Sequence, residues 1–222
     1  MPARVQPIGG GEAPSGDTAK LGDLRFGALI GCDAWASLPE AVRRRFCKPV
    51  TQGRTAVYVG EVTETQLNLW GRLLAQAARL IGSPFPTSTD RNVPAVVTVT
   101  EDFVTGGQIW TRLYARRTGF PQVIHSSKRF GGPTGLEEHV GAGIGMTLTL
   151  QAQDGALVFR SDRYFVDVLG TRLWLPALLT PGSLAVTHRE CGGGRFAFTL
   201  DVTHPRLGRL IWQRAVFQEV VP

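Results

Sequence analysis

The sequence predicts an α+β, mainly β protein: an antiparallel curved sheet or β-barrel with N-terminal helices packed against it. Three observations point there. From Ala95 to the C-terminus, apolar and polar residues alternate in one segment after another. Gly, Pro and Asp turn signals separate these segments at short intervals. The only clear helical periodicity lies N-terminal to Pro84. Strands of period two put one side-chain set on each face, and a run of them with short turns implies a barrel or a sandwich. Such folds commonly enclose an apolar cavity.

Taken in order, residues 1–22 are rich in Gly, Pro, Ser and Ala, the composition of a disordered leader. Residues 23–222 are expected to form a single helix-capped domain, its ordered part beginning at Phe26–Ile30. Ser37-Leu-Pro-Glu40 reads as a capping box, with Pro39 in the first turn of a helix ending near Phe46. Thr55–Thr63 reads as a strand. A second capping box, Thr63-Glu-Thr-Gln66, opens a helix whose apolar stripe is Leu67, Trp70, Leu74, Ala77 and Ile81. Gly82 and Pro84 stop it. The strands expected beyond are Ala95–Glu101, Gln108–Arg116, Gln122–Phe130, Gly145–Gln153, Ala156–Val168, Ser183–Glu190, Arg195–Thr203 and Leu207–Val220.

Composition excludes several classes. The formal net charge is +6 over 222 residues, but the basic residues are almost all Arg and are scattered, with Lys only at Lys20, Lys48 and Lys128. Arg43-Arg44-Arg45, the one dense cluster, reads as a solvated helix face. With no basic stripe and no recognition motif, nucleic acid is not an expected partner. No run of about 18 apolar residues suggests a transmembrane segment, and no secretory signal core is visible. Cys32, Cys47 and Cys191 are too scattered for a disulfide framework or a zinc site. A cytoplasmic location is the expectation.

The chemistry-bearing candidates come from reading strand faces. On Ser183–Glu190, Leu184, Val186, His188 and Glu190 share a face. His188 beside a carboxylate at a cavity mouth would serve as a general base oriented by Glu190; alternatively the strand end twists outward and exposes both. On Gln108–Arg116, Trp110, Arg112 and Tyr114 form an aromatic–cation row. Such a row anchors a carboxylate or phosphate head group, or packs a structural Arg against Glu137 or Glu138. Phe196, Phe198 and Trp212 would add apolar walls, and Arg112 would stabilise negative charge. His125 lies on a face with Val123, Ser127 and Arg129, His139 lacks the second His of a metal motif, and His204 precedes a Pro in a turn. Gly141-Ala-Gly-Ile-Gly145 is followed by a strand, so it fails the context of a dinucleotide loop. No metal or cofactor is expected.

A set of residues spanning residue 25 to the end resembles a bacterial family known as domain of unknown function 4166. It comprises Leu38-Pro39, Ile81-Gly-Ser-Pro84, Trp110-x-Arg112, Glu138, Trp174-Leu-Pro176, Pro181-Gly182, Phe196-x-Phe198 and His204-Pro205-x-x-Gly208. The resemblance implies that Trp110, Arg112, Glu138 and Pro205 belong to a shared pattern. It also implies an association with NAD(P)-binding, saccharopine-dehydrogenase-like or epimerase-like modules, to which members are often fused. Three functions follow as expectations: binding of a hydrophobic or lipid-like small molecule in a barrel cavity, a cofactor-independent isomerase or cyclase using that cavity, or an accessory domain docking on a separate NAD(P)-dependent oxidoreductase. Ligand contacts would come from Trp110, Arg112, Tyr114, Glu138, Phe196, Phe198 and Trp212.

Overall fold

The computed structural model describes residues 23–82 and 84–220; the expected leader, 1–22, lies outside them. The alternation of Ala-Val-Tyr-Val-Gly-Glu-Val-Thr builds β1 (Ala56–Leu67), which pairs on one side with β2 (Val93–Asp102) and on the other with β11 (Gly208–Glu219). From β2 the chain runs up and down through β3 (Gly107–Tyr114), β4 (Gln122–Arg129), β5 (Glu137–Gly141), β6 (Ile144–Gln153) and β7 (Ala156–Val168). The β6–β7 turn is Asp154-Gly155, both with positive φ (50° and 71°), as a two-residue hairpin requires.

The start of β7, Ala156–Arg160, pairs with β9 (Ser183–Gly192). β9 continues through β10 (Arg195–His204) and β11 back to β1. The result is a closed antiparallel barrel of ten strands, and closure leaves no unpaired ladder around the ring. β8 (Thr171–Trp174) stands outside it, paired to the far end of β7.

Among the described residues, three short helices precede this ring and cap one end of it. α1 (Arg25–Ile30) and α2 (Cys32–Ala36) were not foreseen; α3 (Glu40–Phe46) was. Phe26 of α1 and Phe46 of α3 are buried and meet edge-on at 5.4 Å, each contributing about 1.5–3 kcal/mol by burial. The first expected capping box does not form. Pro39 is the N-cap of α3, and the Ser37 hydroxyl donates back to the Ala34 carbonyl at 2.8 Å.

The second box is corrected more deeply. Thr63–Gln66 continue β1, because pairing with β11 (Glu64 opposite Arg214, Gln66 opposite Trp212) supplies their backbone partners. α4 (Leu69–Ala77) opens instead at Asn68, whose side chain accepts from the Gly71 N–H at 2.7 Å. Its barrel-facing side is Gly71 and Ala75, continued by Ala78 in the following 3₁₀ turn (Ala78–Ile81), not a stripe through Trp70. A Cβ on Gly71 would collide with the Leu210 carbonyl, so the small residue lets α4 lie directly on β11. β5 and β8 were also missed. The charged run Glu137-Glu-His139 hides the apolar signal by which strands are read.

Candidate functional site

Inward-facing residues divide the barrel interior into two halves. Toward the helical cap the strands carry rings: Trp110 on β3, Phe159 on β7, His188 on β9, and Phe196 and Phe198 on β10. With Phe46 of α3 they enclose His188, whose ring lies 5.0 Å from Phe46, 5.4 Å from Phe198, 5.8 Å from Phe159 and 5.9 Å from Trp110. The remaining void beside His188 is only about 10 Å³.

Toward the other end the same strands carry aliphatic side chains, and a cavity of about 300 Å³ opens among them. Ile124, Met146, Leu184, Val186 and Leu200 form its walls. Leu74, Ala78 and Ile81 cover it from α4 and the 3₁₀ turn, and Leu175, Leu179 and Pro181 cover it from the segment after β8. Arg112, Tyr114, Ser126, Glu138, Tyr164 and Gln213 bring polar atoms to it.

A buried charge cluster marks the boundary between the halves. The β4–β5 register sets Lys128 opposite Glu138, and Lys128 Nζ lies 3.0 Å from Glu138 Oε2. Arg112 Nη2 stands 3.7 Å from Glu138 Oε1, and its Nη1 donates to Ser126 Oγ at 3.2 Å. All three charged residues are buried. Burial alone pushes the Glu138 carboxyl up, but Lys128 and Arg112 outweigh it and bring the pKa down to about 2. Burial lowers the Lys128 pKa against the pull of Glu138. Arg112 Nε has no hydrogen-bond partner among the described residues. Burial lifts the Tyr164 hydroxyl to about 12 and raises Tyr114 as well, so both stay protonated donors at neutral pH.

The expected row Trp110–Arg112–Tyr114 is inward along β3, and it straddles the boundary: Trp110 in the aromatic half, Arg112 and Tyr114 on the cavity. Of the two candidate partners of Arg112, Glu138 is the one that meets it. Glu137 instead pairs with Arg172, and its Oε2 lies 3.2 Å from His139 Nε2. Arg172 also holds Asp167 at 2.9 Å. Phe198 reaches the cavity; Phe196 stays in the aromatic half.

Three expected placements are corrected. His188 does not line the large cavity. Burial first, then the charges of Arg45, Lys128 and Arg112, hold its pKa well below the ordinary 6.5, and Nδ1 has no partner among the described residues. Glu190 does not orient it: the Glu190 carboxylate is taken by Arg45 at 2.9 Å, whose guanidinium lies 3.7 Å over the Phe196 ring. Trp212 is not a wall, because Ile211, Gln213, Ala215 and Phe217 take the inward positions of β11 and period two turns Trp212 outward.

Elsewhere, His125 is exposed and 3.1 Å from Thr111 Oγ1, and His204 Nδ1 accepts from the Arg206 N–H. Lys128 is the member of the buried charge cluster that face-by-face reading passes over, although it shares period two with Ile124 and Ser126. Among the described residues no three His, Cys, Asp or Glu side chains converge as metal ligands. Nor is any helix among them long and apolar enough to cross a membrane.

No curated protein and no solved structure matches the chain. Residues 38–217, from just before α3 into β11, match the family model described as Domain of unknown function (DUF4166). Since that match covers the whole barrel up to Phe217, the chain belongs to the DUF4166 family.

Proposed function

We propose that this barrel binds a hydrophobic or lipid-like small molecule, its apolar body in the 300 Å³ cavity and its polar end toward Arg112, Ser126 and Tyr114. The observation that carries the reading is the hollow itself. One half of the interior is filled by rings, while the other, between the same strands, is left open among aliphatic walls. That volume is at the lower end of small-molecule sites, about 300–1,000 Å³. An apolar ligand would gain about 25 cal/mol for each Å² it removes from water. The protonated hydroxyl of Tyr114 and the guanidinium of Arg112 supply donors, so a carbonyl or carboxylate end suits the site. Binding is preferred to isomerase or cyclase chemistry because His188, the expected base, sits among rings outside this cavity.

The test is direct. Native mass spectrometry of the purified protein should show a small molecule released on denaturation, and a fluorescent fatty-acid probe should bind one per chain. Val186→Trp, which fills the cavity from its wall, should weaken probe binding at least tenfold while the thermal midpoint holds. A wild-type protein that takes up no probe, or a Val186→Trp variant that binds like wild type, would overturn the reading.

A further inference from the structure

We propose that the cavity mouth docks on an anionic lipid bilayer through two apolar rims that flank it. The first rim is α4 with its 3₁₀ turn. A helix on the surface of a globular protein needs one apolar face; this one has two. Its inner side meets the barrel and the cavity. Its outer side presents Leu69, Trp70, Leu73 and Leu80, exposed by 67, 51, 53 and 89%. The second rim is the stretch after β8, where Leu178 and Leu179 are 73 and 70% exposed. Leu179 is at once a surface residue and a wall of the cavity, which places this rim at the opening. Patches of this kind mark interaction sites.

Charge selects the occupant. Between Glu64 and Asp90 the chain has no acidic residue, and the helix carries Arg72 and Arg79. Between Asp167 and Glu190 there is again none. Arg163, on the neighbouring β7, lies 4.1 Å over the Trp174 ring at the second rim. Leucines, a tryptophan and arginines without acids are the composition of a segment lying in an anionic interface. A second copy of the chain would bring Arg72 and Arg79 against another acid-free rim, so self-association is the poorer match. Docked this way, the mouth faces the acyl region, and an apolar ligand passes between bilayer and cavity without crossing water. Docking does not depend on what fills the cavity, so it can fail or hold independently of the ligand reading.

The experiment is flotation of the full chain with vesicles of phosphatidylcholine alone or of phosphatidylcholine mixed with phosphatidylglycerol. Binding is expected to the mixed vesicles, weakening with salt, and at least tenfold weaker to phosphatidylcholine alone. The double variant Leu73→Glu/Leu80→Glu changes only exposed positions and should lose binding at least tenfold while still taking up the fatty-acid probe. Arg72→Gln and Arg79→Gln should each cost roughly fivefold on mixed vesicles. Equal flotation of wild type and the double Glu variant, or none by wild type, would overturn the proposal. So would a wild-type dimer in light scattering that the Glu variant turns into a monomer, since the face would then be covered by a second copy.

Discussion

The capped half and the open half of this barrel are built by the same strands, and they differ only in what those strands point inward. Along β9 the sequence His188, Val186, Leu184 leads from the cap to the mouth; along β10 it is Phe196, Phe198, Leu200. A barrel widens with strand number, and about eight strands leave an interior that side chains just fill. Ten strands need more. Rings from five strand positions, with Phe26 and Phe46 from the helices, meet that need at the cap. Aliphatic side chains of middling size do not meet it at the mouth, and a hollow remains.

If the two halves differ as described, removing volume should cost unequally. Phe159 is fully buried and touches Phe26, Phe46 and His188, so Phe159→Ala should destabilise by about 4 kcal/mol. Leu200 already faces the cavity, and Leu200→Ala should cost about 2 kcal/mol, the low end for such changes. Urea denaturation of both variants measures the difference. Equal losses would mean that the mouth is as tightly packed as the cap.

The boundary between the halves is next in size. Glu138→Gln leaves Lys128 and Arg112 buried without their anion, and should cost about 3 kcal/mol at pH 7. Lys128→Met added to it removes the nearer of the two orphaned cations and should recover part of the loss. The folded pKa of Glu138, about 2, lies below its ordinary 4.5. Its contribution is therefore complete above about pH 4.5 and fades as the pH falls through about 2. The Gln variant should lack that part of the acid denaturation curve. A double variant no more stable than Glu138→Gln would show that the cluster holds the fold by something other than charge pairing.

Strand faces were legible where apolar residues alternate, which is why Trp110, Arg112 and Tyr114 share one face in the sequence; that this face turns inward is set by closure of the barrel. Pairings set by register or by a distant element were not. Glu138 meets Lys128 only because β5 exists, and its charged residues conceal it. Glu190 lies two positions from His188 but is claimed by Arg45, some 145 residues away in the chain. Both capping boxes satisfied the local rule. One lost to ladder pairing with β11, whose contribution no local window contains.

The smallest expected effect probes whether the capped half is dry. His188 is buried with a pKa held well below 6.5, so the folded protein keeps it neutral while the unfolded chain protonates it. A depressed folded pKa means that stability is full above about pH 6.5 and falls below it, by up to about 1.4 kcal/mol per pH unit for one proton. His188→Phe keeps a ring among Phe46, Trp110, Phe159 and Phe198 and removes the titration. The variant should match wild type near pH 7 and become the more stable of the two as the pH drops toward 5, measured by urea denaturation at stepped pH. Parallel curves would mean that His188 accepts its proton while folded, as only a wet cap allows, and the contrast with the open half would then be one of degree.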